Sequence, residues 1–183
     1  MITVINRKFN VYELASEDES KIHNTFNKVL NTIHKYNWKG ACHSSSSLLY
    51  ILLKEHDVNV SLCTGWVRFD KAVFGHSWVE YNGLPIDAAI SLANVQSFPP
   101  VLLGEIIGET EEFENNYEYG YSRNIQLEAP MDNFSNKPLG EYLESFPEPL
   151  RGLFNEVYEQ MNLLLNFESL KEKYFYSHWI IKN

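Results

Sequence analysis

The sequence predicts an α+β fold in a single domain. A helix that begins at a cysteine packs on an antiparallel sheet, with an extra helix and strand at the C-terminal end. Three observations predict this. Apolar residues recur at helical spacing over residues 17–36 and 42–56. Alternating segments flank Asn82-Gly83, the strongest hairpin signal in the chain. A further helical stripe begins after Pro147 and Pro149. The domain spans residues 1–183, with a core at about 38–90 and a C-terminal extension at about 105–183.

Each element has a local cause. Residues 2–14 are rich in β-branched and aromatic side chains and read as strand. Ser16 and Glu19 have capping-box spacing. Ile22, Phe26, Val29, Leu30 and Ile33 then mark an amphipathic helix over 17–36. Gly40 ends the connector. Leu48, Leu49, Leu52 and Leu53 give the second helix, Cys42 to His56, its buried stripe. The small residues Ser44 to Ser47 either allow that helix to approach a sheet closely or form a weakly helical, solvated first turn. Residues 58–64 alternate as a strand that residues 66–69 extend, and residues 76–81 form another.

A type I′ turn at Asn82-Gly83 pairs Tyr81 with Leu84, Glu80 with Pro85, Val79 with Ile86 and Trp78 with Asp87, giving a return strand at 84–88. Pro85 lacks a donor and would limit pairing on that strand's other side. Residues 105–118 hold six Glu and no basic residue and read as a solvated loop or edge, and 117–128 as a strand. Leu150, Leu153, Phe154, Val157, Tyr158, Met161, Leu164 and Leu165 make the last helical stripe, which completes the core. Residues 174–181 read as the final strand.

Composition narrows the function. The formal net charge of −9 argues against nucleic acid or an anionic membrane as partner. The longest apolar run, Leu48–Leu53, is far too short to span a bilayer, so no membrane insertion is expected. Met1–Asn10 lacks a signal-peptide pattern, and two cysteines are too few for a secreted disulfide scaffold. A cytoplasmic protein is expected. His23, His34, His56 and His178 share no ligand spacing with a second donor, so no metal is expected. No phosphate loop or dinucleotide fingerprint is present, and no cofactor is expected.

The chemistry-bearing residues converge instead on one thiol. Cys42 begins a helix, where unpaired N–H groups and the dipole favour a thiolate. In the expected register His76, Trp78 and Glu80 share a face with Asp87. His76 and Asp87 are then diagonal neighbours, roughly 7–8 Å apart at the backbone. Such groups can run nucleophilic catalysis. The Cys42 thiolate attacks an acyl carbon, His76 moves the proton, and Asp87 orients the imidazole. The Cys42 backbone N–H is one oxyanion donor. Tyr36, Asn37 and Trp38 are candidates for the second. Cys63 reads as an unreactive structural thiol and Glu80 as structural. The side chain of His43 projects about 100° away from Cys42 on the helix.

Gly40-x-Cys42, the leucine-rich helix, His76-Ser-Trp78-Val-Glu80 and Ile86-Asp87 resemble the core of the transglutaminase-like cysteine enzymes. The resemblance covers roughly residues 38–90. The compact run from Glu80 to Asp87 most resembles the small bacterial branch, which includes leader-peptide proteases of lasso-peptide biosynthesis. The resemblance implies a papain-like core, with Cys42 as nucleophile, His76 as general base, Asp87 as orienting acid and Trp78 packed behind the site. Two features depart from the family pattern: no Trp shortly precedes Asp87, and four serines follow Cys42-His43. The implied function is a hydrolase, a cysteine protease or amidase, or an acyltransferase, working through a thioester on a peptide or protein substrate. A toxin-like deamidase, a cell-wall amidase of another papain-like family and a non-catalytic binding or scaffold protein are the competing readings.

Overall fold

The computed structural model describes residues 16–94, 96–108, 117–121 and 135–182. The strand expected over 2–14 lies outside them, as do most of the acidic segment and the greater part of 117–128.

Helix α1 (Glu17–Lys35) starts where Ser16 accepts a hydrogen bond from the Glu19 N–H at 3.2 Å. Glu17, Asp18 and Glu19 place negative charge at the positive end of the helix dipole. Its buried face is Ile22, Phe26, Val29 and Ile33, as the spacing predicts. Asn37, at φ 47°, turns the chain out of the helix.

Helix α2 (Cys42–Glu55) is the central helix, packed between α1 and the sheet. Ser44 to Ser47 are all buried, which is the close-packing reading of the serine run. A buried hydroxyl must find an acceptor. Ser45 donates to Ala41 O at 2.7 Å and Ser47 to His43 O at 2.7 Å. Ser46 reaches across to Ser77 O at 2.8 Å, tying the helix to the sheet.

Strands β1 (Ser61–Phe69) and β2 (Ala72–Tyr81) form a long antiparallel hairpin with Ser61 opposite Glu80 and Phe69 opposite Ala72. Its turn uses Asp70 at φ 52°. Strand β3 (Leu84–Ile86) follows the Asn82-Gly83 turn, where φ is 51° and 80° as a type I′ turn requires. The pairs Tyr81–Leu84, Glu80–Pro85 and Val79–Ile86 form as predicted.

The fourth expected pair, Trp78 with Asp87, does not form. Asp87 leaves the ladder and exchanges two backbone hydrogen bonds with Val101, at 2.7 and 3.0 Å. A 3-10 turn (Ala89–Leu92) follows directly. The other side of β3 is also occupied, contrary to the reading of Pro85. The short hairpin of β4 (Val101–Leu102) and β5 (Glu105–Ile106) packs there, and the Pro85 carbonyl accepts from Gly104 N–H at 2.9 Å. Proline lost its donor, but its acceptor remained available.

Strand β6 (Glu118–Tyr119) and strand β7 (Ile180–Lys182) share the edge of β1 that β2 leaves free. Strand β6 is antiparallel, opposite Val67 and Arg68. Strand β7 is parallel, opposite Cys63, Thr64 and Gly65. The expected strand over 174–181 is thus confined to its end and shifted by one residue. Gly65 makes the crossing possible, since a Cβ there would lie 2.4 Å from Lys182 O.

The C-terminal region adds α3 (Leu139–Glu144), α4 (Glu148–Gln160) and α5 (Phe167–Lys173). The patterns of α3 and α5, six and seven residues long, are too short to read as helices in advance. Phe154, Val157 and Tyr158 of α4 enter the same core as α1 and α2. Leu164 and Leu165 do not. The helix stops at Gln160, Asn162 adopts φ 58°, and both leucines fall outside the helical rotation and are exposed. A second, smaller cluster (Cys63, Val67, Phe69, Trp78, Ile90, Ala93, Phe98) forms where β1 and β2 meet the 3-10 turn and the loop after it. Among the described residues no helix is long and apolar enough to cross a membrane.

Candidate active site

Strand β3 ends opposite Val79, so β2 before Val79 has an unpaired edge. The start of α2 comes in at that edge. Gly40 N–H donates to Leu92 O at 3.0 Å and fixes the approach. Gly40 sits at φ +68°, and a Cβ there would lie within 2.5 Å of the Asn94 amide group. Glycine is therefore required on two counts. The result is a cleft of about 190 Å³ lined by Gly40, Cys42, Phe74, Gly75, His76, Ala89, Ala93 and Asn94.

Cys42 is the first helical residue, and Ala41 before it supplies no side-chain cap. A first-turn N–H such as that of Cys42 has no acceptor within the helix itself. His76 and Asp87 are both almost completely buried, and His76 Nε2 lies 2.7 Å from Asp87 Oδ2. With Nε2 committed to the carboxylate, Nδ1 is the nitrogen left to serve Cys42. Asp87 is held from three sides. Its Oδ1 accepts from Ile90 N–H at 3.1 Å, and its Oδ2 also accepts from the Tyr119 hydroxyl at 2.9 Å. The residue that leaves the ladder thereby caps the 3-10 turn and still reaches His76.

The electrostatics follow from this packing. Burial opposes ionisation of the Cys42 thiol, yet its interactions with His43 and His76 outweigh that cost and hold it well below the usual thiol range. Burial likewise disfavours a charged His76, but the Asp87 carboxylate and then Cys42 raise it well above the usual imidazole range. Both directions favour the thiolate–imidazolium form of the pair over the thiol–imidazole form.

The other expected residues have varied places. Trp78 is fully buried, donates from Nε1 to Glu80 Oε1 at 3.0 Å and packs on Tyr119 at 5.0 Å between centroids. It lies behind the site and does not line the cleft. Glu80 also accepts from Lys182 Nζ at 2.6 Å, a link from β2 to β7. Tyr36 and Trp38, candidates for the second oxyanion donor, lie elsewhere. They line a separate groove with Pro147, Pro149, Leu150, Gly152, Leu153 and Glu156. Tyr36 donates to Glu156 Oε2 at 2.6 Å, and Trp38 packs edge-on against Phe154. The turn at Asn37 aims both at α4, away from the cleft.

Two residues enter that the sequence reading did not place at the site. Tyr119 falls in the segment read as a strand over 117–128, just past the acidic run, and its contact with Asp87 depends on β6 joining β1. Asn94 follows the 3-10 turn and brings a side-chain carboxamide to the cleft wall. No spacing rule links either to Cys42. Among the described residues no group of three or more His, Cys, Asp or Glu is arranged to hold a metal ion.

The family model of the transglutaminase-like superfamily matches residues 5–102, more than half of the chain. The chain belongs to that superfamily, and its fold is the α+β, papain-like core. Members of this superfamily are mostly enzymes, in general cysteine-dependent peptidases or acyltransferases. Searches of curated proteins and of solved structures gave no match.

Proposed function

We propose that this protein is a cysteine-dependent hydrolase or acyltransferase that acts on a peptide or amide bond through a thioester. The observation that carries the reading is the buried 2.7 Å contact of His76 with Asp87 beside a cleft that both His76 and Cys42 line. In this mechanism the Cys42 thiolate adds to the acyl carbon, and the carbonyl electrons move onto oxygen. The oxyanion meets the Cys42 N–H and, as second donor, the Asn94 carboxamide. As the tetrahedral adduct collapses, His76 Nδ1 gives its proton to the departing amine and the thioester remains. Water or an amine then attacks the thioester, His76 takes the incoming proton, and the thiolate leaves. Asp87 keeps the imidazole oriented and balances its charge throughout.

The small cleft, walled by Gly40, Gly75, Ala89 and Ala93, suits an extended segment of peptide or a single protruding side chain. The two free cysteines fit a reducing, cytoplasmic setting. Within the superfamily, the short run from Glu80 to Asp87 favours the small bacterial branch that includes lasso-peptide leader proteases.

The test is the alkylation rate of each cysteine against pH, read by peptide mass spectrometry on the folded protein. The reading expects fast Cys42 labelling with an apparent pKa well below the free-thiol value of about 8.5. It also expects His76→Ala to remove that advantage. A Cys42 no faster than a model thiol, with iodoacetamide and with a smaller reagent, would point to a fold retained for binding. Adding an amine to a turning-over reaction then separates the two enzyme classes, because only a transferase diverts the acyl group into a new amide.

A further inference from the structure

His43 is a chemistry-bearing residue at the site that the Cys42, His76 and Asp87 arrangement does not use. Successive helical residues point about 100° apart, which would carry this imidazole away from the sulfur. The structure brings it back. His43 Nδ1 lies 3.7 Å from Cys42 Sγ and 2.8 Å from Ser77 Oγ. Ser77 is a fixed anchor. It is fully buried, it pairs with Thr64 across the β1–β2 ladder, and its carbonyl accepts from Ser46 Oγ. One ring nitrogen therefore sits between a hydroxyl anchored in β2 and the nucleophilic sulfur.

We propose that His43 is a second positioning imidazole, with its Nδ1–H shared between Ser77 Oγ and the Cys42 thiolate. This rests on the reading of Cys42 as nucleophile. A hydrogen bond to the ionised form favours that form. His76 must surrender its proton to the leaving group and regain it from the acceptor, so its support of the sulfur changes during the cycle. The His43 donor does not move in either step. It stabilises the thiolate before attack and again as the thiolate leaves the thioester.

Among the described residues, three titratable groups face Cys42. His43 comes from its own helix, His76 from β2, and Tyr142 from α3, where its hydroxyl is turned to Ser44. Behind His76 stand Asp87 and Tyr119. The remaining cleft residues, Gly40, Phe74, Gly75, Ala89, Ala93 and Asn94, carry no titrating side chain. His43 combines contact with the sulfur and an anchor independent of Asp87.

The experiment is the pH profile of Cys42 alkylation by iodoacetamide in the full chain, with thermal melting recorded in parallel. His43→Leu should move the labelling midpoint up by about one pH unit, so that labelling below the midpoint slows about tenfold. His43→Asn, whose side-chain N–H reaches close to the Nδ1 position, should restore most of the rate. Ser77→Ala should shift the midpoint in the same direction by less, and it tests the anchor even where the leucine variant folds poorly. An unmoved profile in the His43 variants, with or without a change in Tm, overturns the proposal, as does a His43→Asn profile that coincides with His43→Leu. Slow wild-type labelling overturns it together with the nucleophile reading. Fast wild-type labelling with unmoved His43 variants overturns it alone.

Discussion

The two thiols of this chain, one at a helix start and one within a strand, have opposite surroundings. Cys63 lies in the middle of β1, with Trp78 of β2 opposite it on one side and Ile180 of β7 on the other. It is fully buried, and burial, with Glu80 nearby, pushes its thiol up to about 12. Cys42 lies where a helix begins and where β2 has lost its neighbour, sharing an open cleft with His76 and touching the His43 imidazole. Its thiol moves down. In this chain the direction in which each thiol is shifted follows where elements end. A sulfur inside a strand meets paired backbone, apolar side chains and, here, the Glu80 carboxylate. A sulfur at a helix start meets unpaired N–H groups and the side chains that a truncated strand leaves uncovered.

The largest effect expected from this contrast comes from Cys42→Ala, which should abolish turnover with the melting temperature little changed. Cys63→Ala should leave turnover intact, and an equal loss from both substitutions would break the comparison. Next comes Asp87→Asn, measured as kcat. It keeps the shape but gives His76 the wrong partner, and a loss of about 10³–10⁴-fold is expected by analogy with other triads. Tyr119→Phe removes one donor from the same carboxylate and should cost about 1.5–3 kcal/mol in transition-state stabilisation. It should also leave iodoacetamide labelling close to wild type, since the His76–Asp87 contact remains.

Titration sharpens the same point through stability. The folded Cys42 value lies below its unfolded value, so its contribution is present above the ordinary thiol range and is lost as pH falls through the lowered value. The folded His76 value is raised, so its contribution is present below the ordinary imidazole range and is lost as pH rises through the raised value. Melting curves should therefore show wild type losing stability relative to Cys42→Ala as pH falls from 8 toward 5. The smallest expected effect is that of Cys63→Ala on stability, about 1 kcal/mol by chemical denaturation, because a buried sulfur is removed without an unpaired polar group remaining.

Much of the core was legible along the chain. The stripes of α1 and α2, the start of α2 at Cys42 and the register of the Asn82-Gly83 turn are local, and each depends on residues a few positions apart. That register also put His76 and Asp87 on one face, and they are in contact. The ladder itself was read one pair too far, because the pull on Asp87 comes from Val101, Ile90 and Tyr119. The short helices α3 and α5 carry too few turns for a periodicity. Leu164 and Leu165 keep the helical spacing on paper, yet Asn162 ends the helix before it reaches them.

Local chemistry along the chain is enough for the elements whose causes lie within one turn or one hairpin: a thiol at a helix start, and an imidazole and a carboxylate on the two arms of one hairpin. Tertiary structure decided what those groups meet. It placed β6 and β7 side by side on β1, brought the Tyr119 hydroxyl to Asp87, turned Tyr36 and Trp38 toward α4, set Asn94 over Gly40 and bent His43 back between Ser77 and Cys42. The physical reason is one of range. Backbone propensity and side-chain periodicity act between neighbours, whereas burial, charge and hydrogen-bond satisfaction act between whatever residues the packed layers bring within about 3–4 Å of each other.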